Sequence, residues 1–336
     1  MALAPDVLKI DAEQTSERIV EWLRDSTARR LRKRGLVVGI SGGIDSAVCA
    51  KLAVRAVGPE RVFGLLMPER DSSRSGLELG QKVADEACIP YQIIDITAAL
   101  EAIGCYSYQH AAIQRVFPDF TPSWKSKLVI AGAERGELNH FNLVVQAPDS
   151  PAQERRLRLA EYLQIVAATN FKQRVRKMLE YFHADRLNYA VIGTPNRLEY
   201  DQGFFVKNGD GSADLKPIAH LYKTQVYALG RFLGVPEEIC RSRPTTDTYS
   251  LQQGQDEFYF GLPYEKMDFA LWCYNHNVPA IELAVAIEIS QDLAFATYED
   301  IASKRRSTRY QHLAPLVVEP IADVGENADA YSVTRR

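Results

Sequence analysis

An apolar run at 36–40 breaks into Ser41-Gly42-Gly43-Ile44-Asp45-Ser46, and helical periodicity follows at once from 46 to 57. A strand that runs through a glycine turn straight into a helix leaves few architectures open. The helix has to cross back over the sheet before the next strand can pair. Apolar runs recur at 62–67, 91–96 and 189–193, and helical stretches at 76–88, 153–185 and 224–233. That rhythm predicts an α/β fold, an open parallel sheet with helices on both faces. Right-handed crossovers then bring the carboxyl ends of the strands to one edge, where ligands bind. A further amphipathic helix is expected at 16–33, with Ile19, Trp22, Leu23 and Leu31 on one face and Gly35 as its stop. Residues 97–169 break the rhythm with a mixed, aromatic-bearing stretch, read as a segment inserted within a single domain of 1–336. The polar end, 321–336, reads as a frayed tail.

The 336 residues carry a formal charge of -3, with 46% hydrophobic and 25% charged side chains. Such a balance gives no bulk attraction to nucleic acid or anionic membrane. Five cysteines stand far apart, odd in number and without a C-x-x-C pair, against a disulfide framework or zinc ribbon and in keeping with a reducing compartment. Residues 1–9 lack the apolar core of a signal peptide, and no apolar run reaches membrane-spanning length. The expected address is cytoplasmic.

The chemistry at 41–46 follows from its residue types. Glycine at 42 and 43 allows a tight bend and close approach of a ligand to the backbone. Ser41 and Ser46 offer hydroxyls, and the amides opening the next helix offer donors at the positive end of its dipole. An acid inside a phosphate loop repels its ligand unless a cation lies between them, so Asp45 points to Mg²⁺. No G-K-[ST] follows, which excludes a Walker loop.

The loop resembles the S-G-G-x-D-S signature of the N-type ATP pyrophosphatases, which cleave ATP between the α- and β-phosphates. The rest of the chain is similar to the ammonia-dependent NAD synthases within that superfamily. Asn170-Phe-Lys-Gln-Arg174-Val-Arg176 resembles N-x-K-x-R-x-R, and Gly193-Thr194-Pro-Asn-Arg-Leu-Glu199 resembles G-T-x-x-x-x-E. Gly203 to Asp214 lies close to G-F-F-T-K-Y-G-D-G-G-A-D, and Leu221-Tyr-Lys223, Pro244-Thr245 and Gln255-Asp256-Glu257 follow in the family's order. The resemblance implies an adenine nucleotide alpha hydrolase-like, Rossmann-like fold and a ligase that adenylates deamido-NAD with ATP and amidates it with ammonia. It also implies roles. Asp45 and Glu199 would share Mg²⁺, and Lys223 would stabilise departing pyrophosphate. Ser41, Gly42, Gly43, Ser46, Arg70, Arg176, Thr194 and Thr245 would contact ATP. Asn170, Arg174, Lys207, Asp210, Asp214 and Glu257 would hold the acceptor, in a homodimer.

Three departures gather on the acceptor side. The stretch between 96 and 170 is long, Val166 stands where the family has an aromatic that stacks on the pyridine ring, and Ser303 replaces the histidine of H-K-R. A cover formed by 97–169 over the acceptor pocket is one reading of the first. These departures leave open a relative that amidates another carboxylic acid; a catalytically silent nucleotide-binding module is the other rival. Met1-Ala2 offers no cysteine nucleophile, so the expected nitrogen source is free ammonia or a separate glutaminase.

Overall fold

The structure is a computed structural model and describes residues 4–131, 140–242, 249–251, 254 and 259–319. The strands are β1 (Leu36–Gly39), β2 (Val62–Leu66), β3 (Tyr91–Ile93), β4 (Lys125–Ala131), β5 (His140–Gln146), β6 (Gln153–Arg156) and β7 (Ala190–Ile192). The helices are α1 (Ala12–Asp25), α2 (Ile44–Val57), α3 (Arg74–Glu86), α4 (Thr97–Ala102), α5 (Cys105–Gln114), α6 (Leu159–Leu187), α7 (Arg197–Gln202), α8 (Lys223–Phe232), α9 (Glu237–Arg241), α10 (Tyr264–Asn275), α11 (Ala280–Ala286) and α12 (Gln291–Thr308).

One sheet, in the order β3-β2-β1-β7, is parallel throughout, with Leu36 opposite Val62 on one side and Ala190 on the other. Alternation along β1 sorts its side chains between two cores. Leu36 and Val38 pack with Ala47, Leu52 and Leu229, under α2 and α8. Val37 packs with Leu65, Val175, Ala184 and Val191, under α6. Burial on both faces explains the unbroken apolar run at 36–40. The expected open parallel sheet with helices on both faces is therefore the observed one.

Two expected elements differ. The helix of 16–33 starts earlier, at Ala12, because the Asp11 carboxylate caps it by accepting from the Gln14 amide at 2.9 Å. It ends at Asp25 in a wide turn over Ser26–Arg30, and only Ile19 and Leu23 of the expected apolar face are buried, while Trp22 and Leu31 reach solvent. The helix expected over 153–185 begins at Leu159, and Gln153–Arg156 is strand β6 instead. Local helix propensity there loses to cross-strand partners. The Asn142 amide donates to Glu154 at 2.6 Å, and Arg155 lies 4.5 Å over the Phe117 ring and donates to the Val116 carbonyl.

The antiparallel sheet β4-β5-β6 closes with α5 and the start of α6 around Phe117, Phe120, Leu128, Leu143 and Ile165. Residues 97–169 thus carry a small core of their own, joined to the main sheet by the 29 residues of α6. No described helix is long and apolar enough to cross a membrane. The five cysteines are unpaired.

Candidate active site

At the carboxyl edge of the sheet, β1 turns through 40–43 into α2. Gly42 has φ +83°, and a Cβ there would meet the Gly76 carbonyl of α3 at 2.2 Å. Its glycine is therefore required by the backbone of the neighbouring helix, rather than only by an approaching ligand. Gly43 stands at the start of α2 with no side chain to cap it, so the first amides of that helix face the edge of the sheet. The Ser46 hydroxyl accepts from the Ser41 amide at 3.2 Å and donates to the Gly43 carbonyl at 3.0 Å, bracing the loop from inside.

Asp45, in the first turn of α2, forms an ion pair with Lys223, the first residue of α8. The Asn196 amide donates to the other Asp45 oxygen at 3.2 Å. Asn196 is also the cap of α7, where its oxygen accepts from the Leu198 and Glu199 amides while Glu199 accepts from the Asn196 amide. One asparagine thus spaces the two carboxylates. Burial alone would lower the Lys223 ammonium, but Asp45 and Glu199 overcome it and hold Lys223 well above its usual value. The cation stays charged although only 2% of it is exposed. Asp268 of α10 fixes its backbone, accepting from the Lys223 amide at 3.1 Å and the Thr224 amide at 2.6 Å. Burial pushes the Asp268 carboxyl up to about 7 against the pull of those amides.

These groups open onto a cleft of about 1500 Å³. Ser41, Gly42, Gly43, Ser46, Arg70, Arg176 and Thr194, the residues expected to contact ATP, line it. Arg176 also donates to the Met67 carbonyl at 3.1 Å. Asn170 and Asp210, expected to hold the acceptor, line the cleft as well. Asp210 accepts from the Val206 amide at 2.7 Å, and burial raises its carboxyl.

Three residues expected to hold the acceptor do not line the cleft in this chain. Arg174 lies on the flank of α6 and donates to the Lys207 carbonyl at 3.3 Å. Lys207 donates to the Tyr310 carbonyl at 2.8 Å and so ties down the segment after α12. Asp214 accepts from the Val191 amide at 2.8 Å and clamps β7 to the chain that follows it. Thr245 and Glu257 lie outside the described residues.

The segment before α6 reaches the same cleft. Trp124, Lys125, Phe141 and Tyr162 line it together with Val166 and Asn170. The Phe141 and Tyr162 rings stack at 4.1 Å. Tyr162 stands one helical turn before Val166, so an aromatic wall exists beside the position where the stacking residue is missing. Asn196 and Tyr162 were both absent from the sequence reading. Asn196 had a signal, its spacing of three residues from Glu199, which is that of a capping box.

Comparison with known proteins gives one consistent answer. A family model described as NAD synthase matches residues 15–120 and 142–315, leaving out 121–141 and with them the whole of β4. The NH3-dependent NAD+ synthetase of Rhizobium meliloti is 54% identical over 325 residues, spanning 96% of this chain and 97% of that protein. Its counterpart from Rhizobium rhizogenes is 53% identical over 321 residues, or 95% and 97% of the two chains. Among solved structures, an NMN synthetase from Francisella tularensis superposes with a TM-score of 0.63 at 24% identity, covering 92% of this chain and 99% of that one. An NH3-dependent NAD synthetase from Campylobacter jejuni does so with 0.60 at 22%, covering 93% and 100%. At those identities the two structures speak to the fold alone.

Proposed function

Because the chain belongs to the NAD synthase family, we propose that it is the ligase that converts deamido-NAD, ATP and ammonia to NAD, AMP and pyrophosphate. The observation that carries this reading is the meeting of the 41–46 loop, Asp45, Glu199 and Lys223 in one cleft that Asn170 and Asp210 also line.

The first step joins a carboxylate oxygen of the acceptor to the α-phosphorus and breaks the bond to the bridging oxygen, releasing pyrophosphate. The uncapped start of α2 and the Lys223 ammonium receive the charge that grows on pyrophosphate. In the second step ammonia attacks the acyl carbon, the C–O bond to AMP breaks, the nitrogen gives up a proton to water, and the amide forms. Neither step needs a side-chain nucleophile. The long cleft brings the two substrates end to end, which lowers the entropic part of the first barrier.

Asp45 and Glu199 face phosphate with two negative charges against the one positive charge of Lys223. Hard carboxylate oxygens in that setting fit Mg²⁺, which takes one or two carboxylates beside phosphate oxygens. When bound, the ion would offset phosphate charge. Phe141 and Tyr162 supply the apolar face for a planar acceptor ring, in place of an aromatic at Val166.

In a purified preparation with ATP, Mg²⁺ and deamido-NAD, ammonium should drive stoichiometric AMP and NAD formation, and glutamine alone should drive none. In the same assay Tyr162→Ala should raise the KM for deamido-NAD and leave that for ATP unchanged. AMP release with another carboxylic acid but not with deamido-NAD would overturn the acceptor assignment. Free ammonia, or ammonia from a separate glutaminase, and a cytoplasmic address belong to the same reading.

A homodimer is part of it too. Leu159 and Leu163 at one end of α6, and Met178 and Phe182 towards the other, expose 54% to 71% of their surface. Apolar pairs at i,i+4 spacing on one long helix suit a self-complementary contact. Sedimentation should report a species of about twice the chain mass of 37.7 kDa, and a monomer at micromolar concentration would exclude the dimer.

A further inference from the structure

Between β2 and α3, the residues Glu69, Arg70 and Asp71 meet Lys172 of α6 and Tyr106 of α5 in a buried charge cluster that the mechanism above does not use. Lys172 is 1% exposed and donates to Glu69 at 2.8 Å and to Asp71 Oδ2 at 2.7 Å. The Tyr106 hydroxyl donates to the second Glu69 oxygen at 2.8 Å. The Arg70 guanidinium lies 3.5 Å over the Tyr106 ring and 3.6 Å from Asp71 Oδ1. Arg70, Asp71 and Lys172 line the cleft beside the phosphate loop, whereas Tyr106 is 3% exposed and does not.

Two positive and two negative side chains make the cluster neutral, but the charges are not placed alike. The Lys172 charge is spent on Glu69, which is buried, and on Asp71. The Arg70 charge, on a side chain 35% exposed, reaches the cleft. Asp71 competes for it. A guanidinium drawn into a bidentate pair with that carboxylate would turn from the cleft and lose its pull on an anion. Two contacts oppose this. Lys172 occupies Asp71 Oδ2, and the Tyr106 ring holds the flat face of the guanidinium, a contact that Lys in place of Arg would not reproduce.

We infer that Tyr106 is a positioning residue for the nucleotide, holding Arg70 towards the phosphates of ATP and out of a bidentate pair with Asp71. This rests on the reading of the cleft as an ATP site. It gives α5, within the segment read as inserted, a task on the nucleotide side.

The test is a cycle of Tyr106→Leu and Arg70→Ala in the full-length protein, with KM for ATP, KM for the acceptor and kcat measured separately. Tyr106→Leu should raise the KM for ATP by roughly 3- to 30-fold, the range that a sheltered cation–π contact supports, with the acceptor KM unchanged. Tyr106→Phe, which keeps the ring and loses only the hydroxyl, should recover most of that loss. In the Arg70→Ala background, Tyr106→Leu should add little. If Tyr106→Leu does not fold, Arg70→Lys at the more exposed partner should reproduce the selective rise. Equal rises for both substrates, no rise, or the same rise without Arg70 would overturn the inference alone. An unmodified protein that ATP does not saturate would overturn the functional reading, and this inference with it.

Discussion

Asp45→Ala is expected to lower AMP formation by at least ~100-fold, the scale on which a preorganised charge at a phosphoryl centre acts. The carboxylate does two things at once. It neutralises the buried Lys223 ammonium, and it takes the Asn196 amide that also caps α7 toward Glu199. Removing it leaves Lys223 with Glu199 as its nearby anion and costs Mg²⁺ one of its two proposed ligands. A half-broken buried pair also costs stability, on the order of 3–5 kcal/mol when fully enclosed and less here, where the Asp45 side chain is 17% exposed. Thermal unfolding should therefore be followed alongside turnover. Loss of activity in a variant that still melts cooperatively above the assay temperature assigns the effect to the site. Glu199→Ala should fall with it. Near-normal turnover in either would take that residue out of the proposed metal pair.

Lys223→Met should have an effect of similar size by a different route. Methionine nearly fills the space of the lysine stem, so packing at the start of α8 survives while the charge is lost. Departing pyrophosphate then loses a donor at the moment its charge grows. kcat should fall by roughly 100- to 1000-fold with a smaller change in the KM for ATP. Arginine should not rescue it, because a planar fork does not fit the point-charge geometry against Asp45. The double variant Asp45→Ala, Lys223→Met should be little worse than either single one, since the two residues act as a pair. Multiplied losses would mean that they act independently, and a fall confined to KM would make Lys223 a binding residue only.

What was legible in the sequence was mostly what local pattern decides. The strand, loop and helix at 36–57 are contiguous, so the loop and Asp45 could be read directly. Glu199 follows β7, so element order brings it to the same edge, while Lys223, which opens α8, is singled out only by the resemblance. The misreadings arose where distant contacts overrule local preference. Gln153–Arg156 looks helical until β5 is placed beside it. Arg174, Lys207 and Asp214 are charged residues in motif segments, yet each makes a hydrogen bond to the protein's own backbone. Tyr162 could not be singled out from sequence, because its value lies in the Phe141 ring brought against it from another strand. Gly42 has a further reason that the sequence does not show, since the nearest obstacle to a side chain there is α3.

The length of α6 has an evolutionary consequence. From Leu159 to Leu187 it carries Tyr162 of the aromatic wall, Asn170, the Lys172 clasp, Arg176 and the residues packed under β1 on one continuous rod. Each added or deleted residue would turn everything beyond it by about 100°. No single-residue change of length within that stretch can keep both substrate halves in register. Lineages of this enzyme are thus free to lengthen or trim the chain ahead of Leu159, while the rod itself can drift only by substitution. A survey of natural chain lengths should find gaps crowded before the helix and absent between the Tyr162 and Glu180 positions.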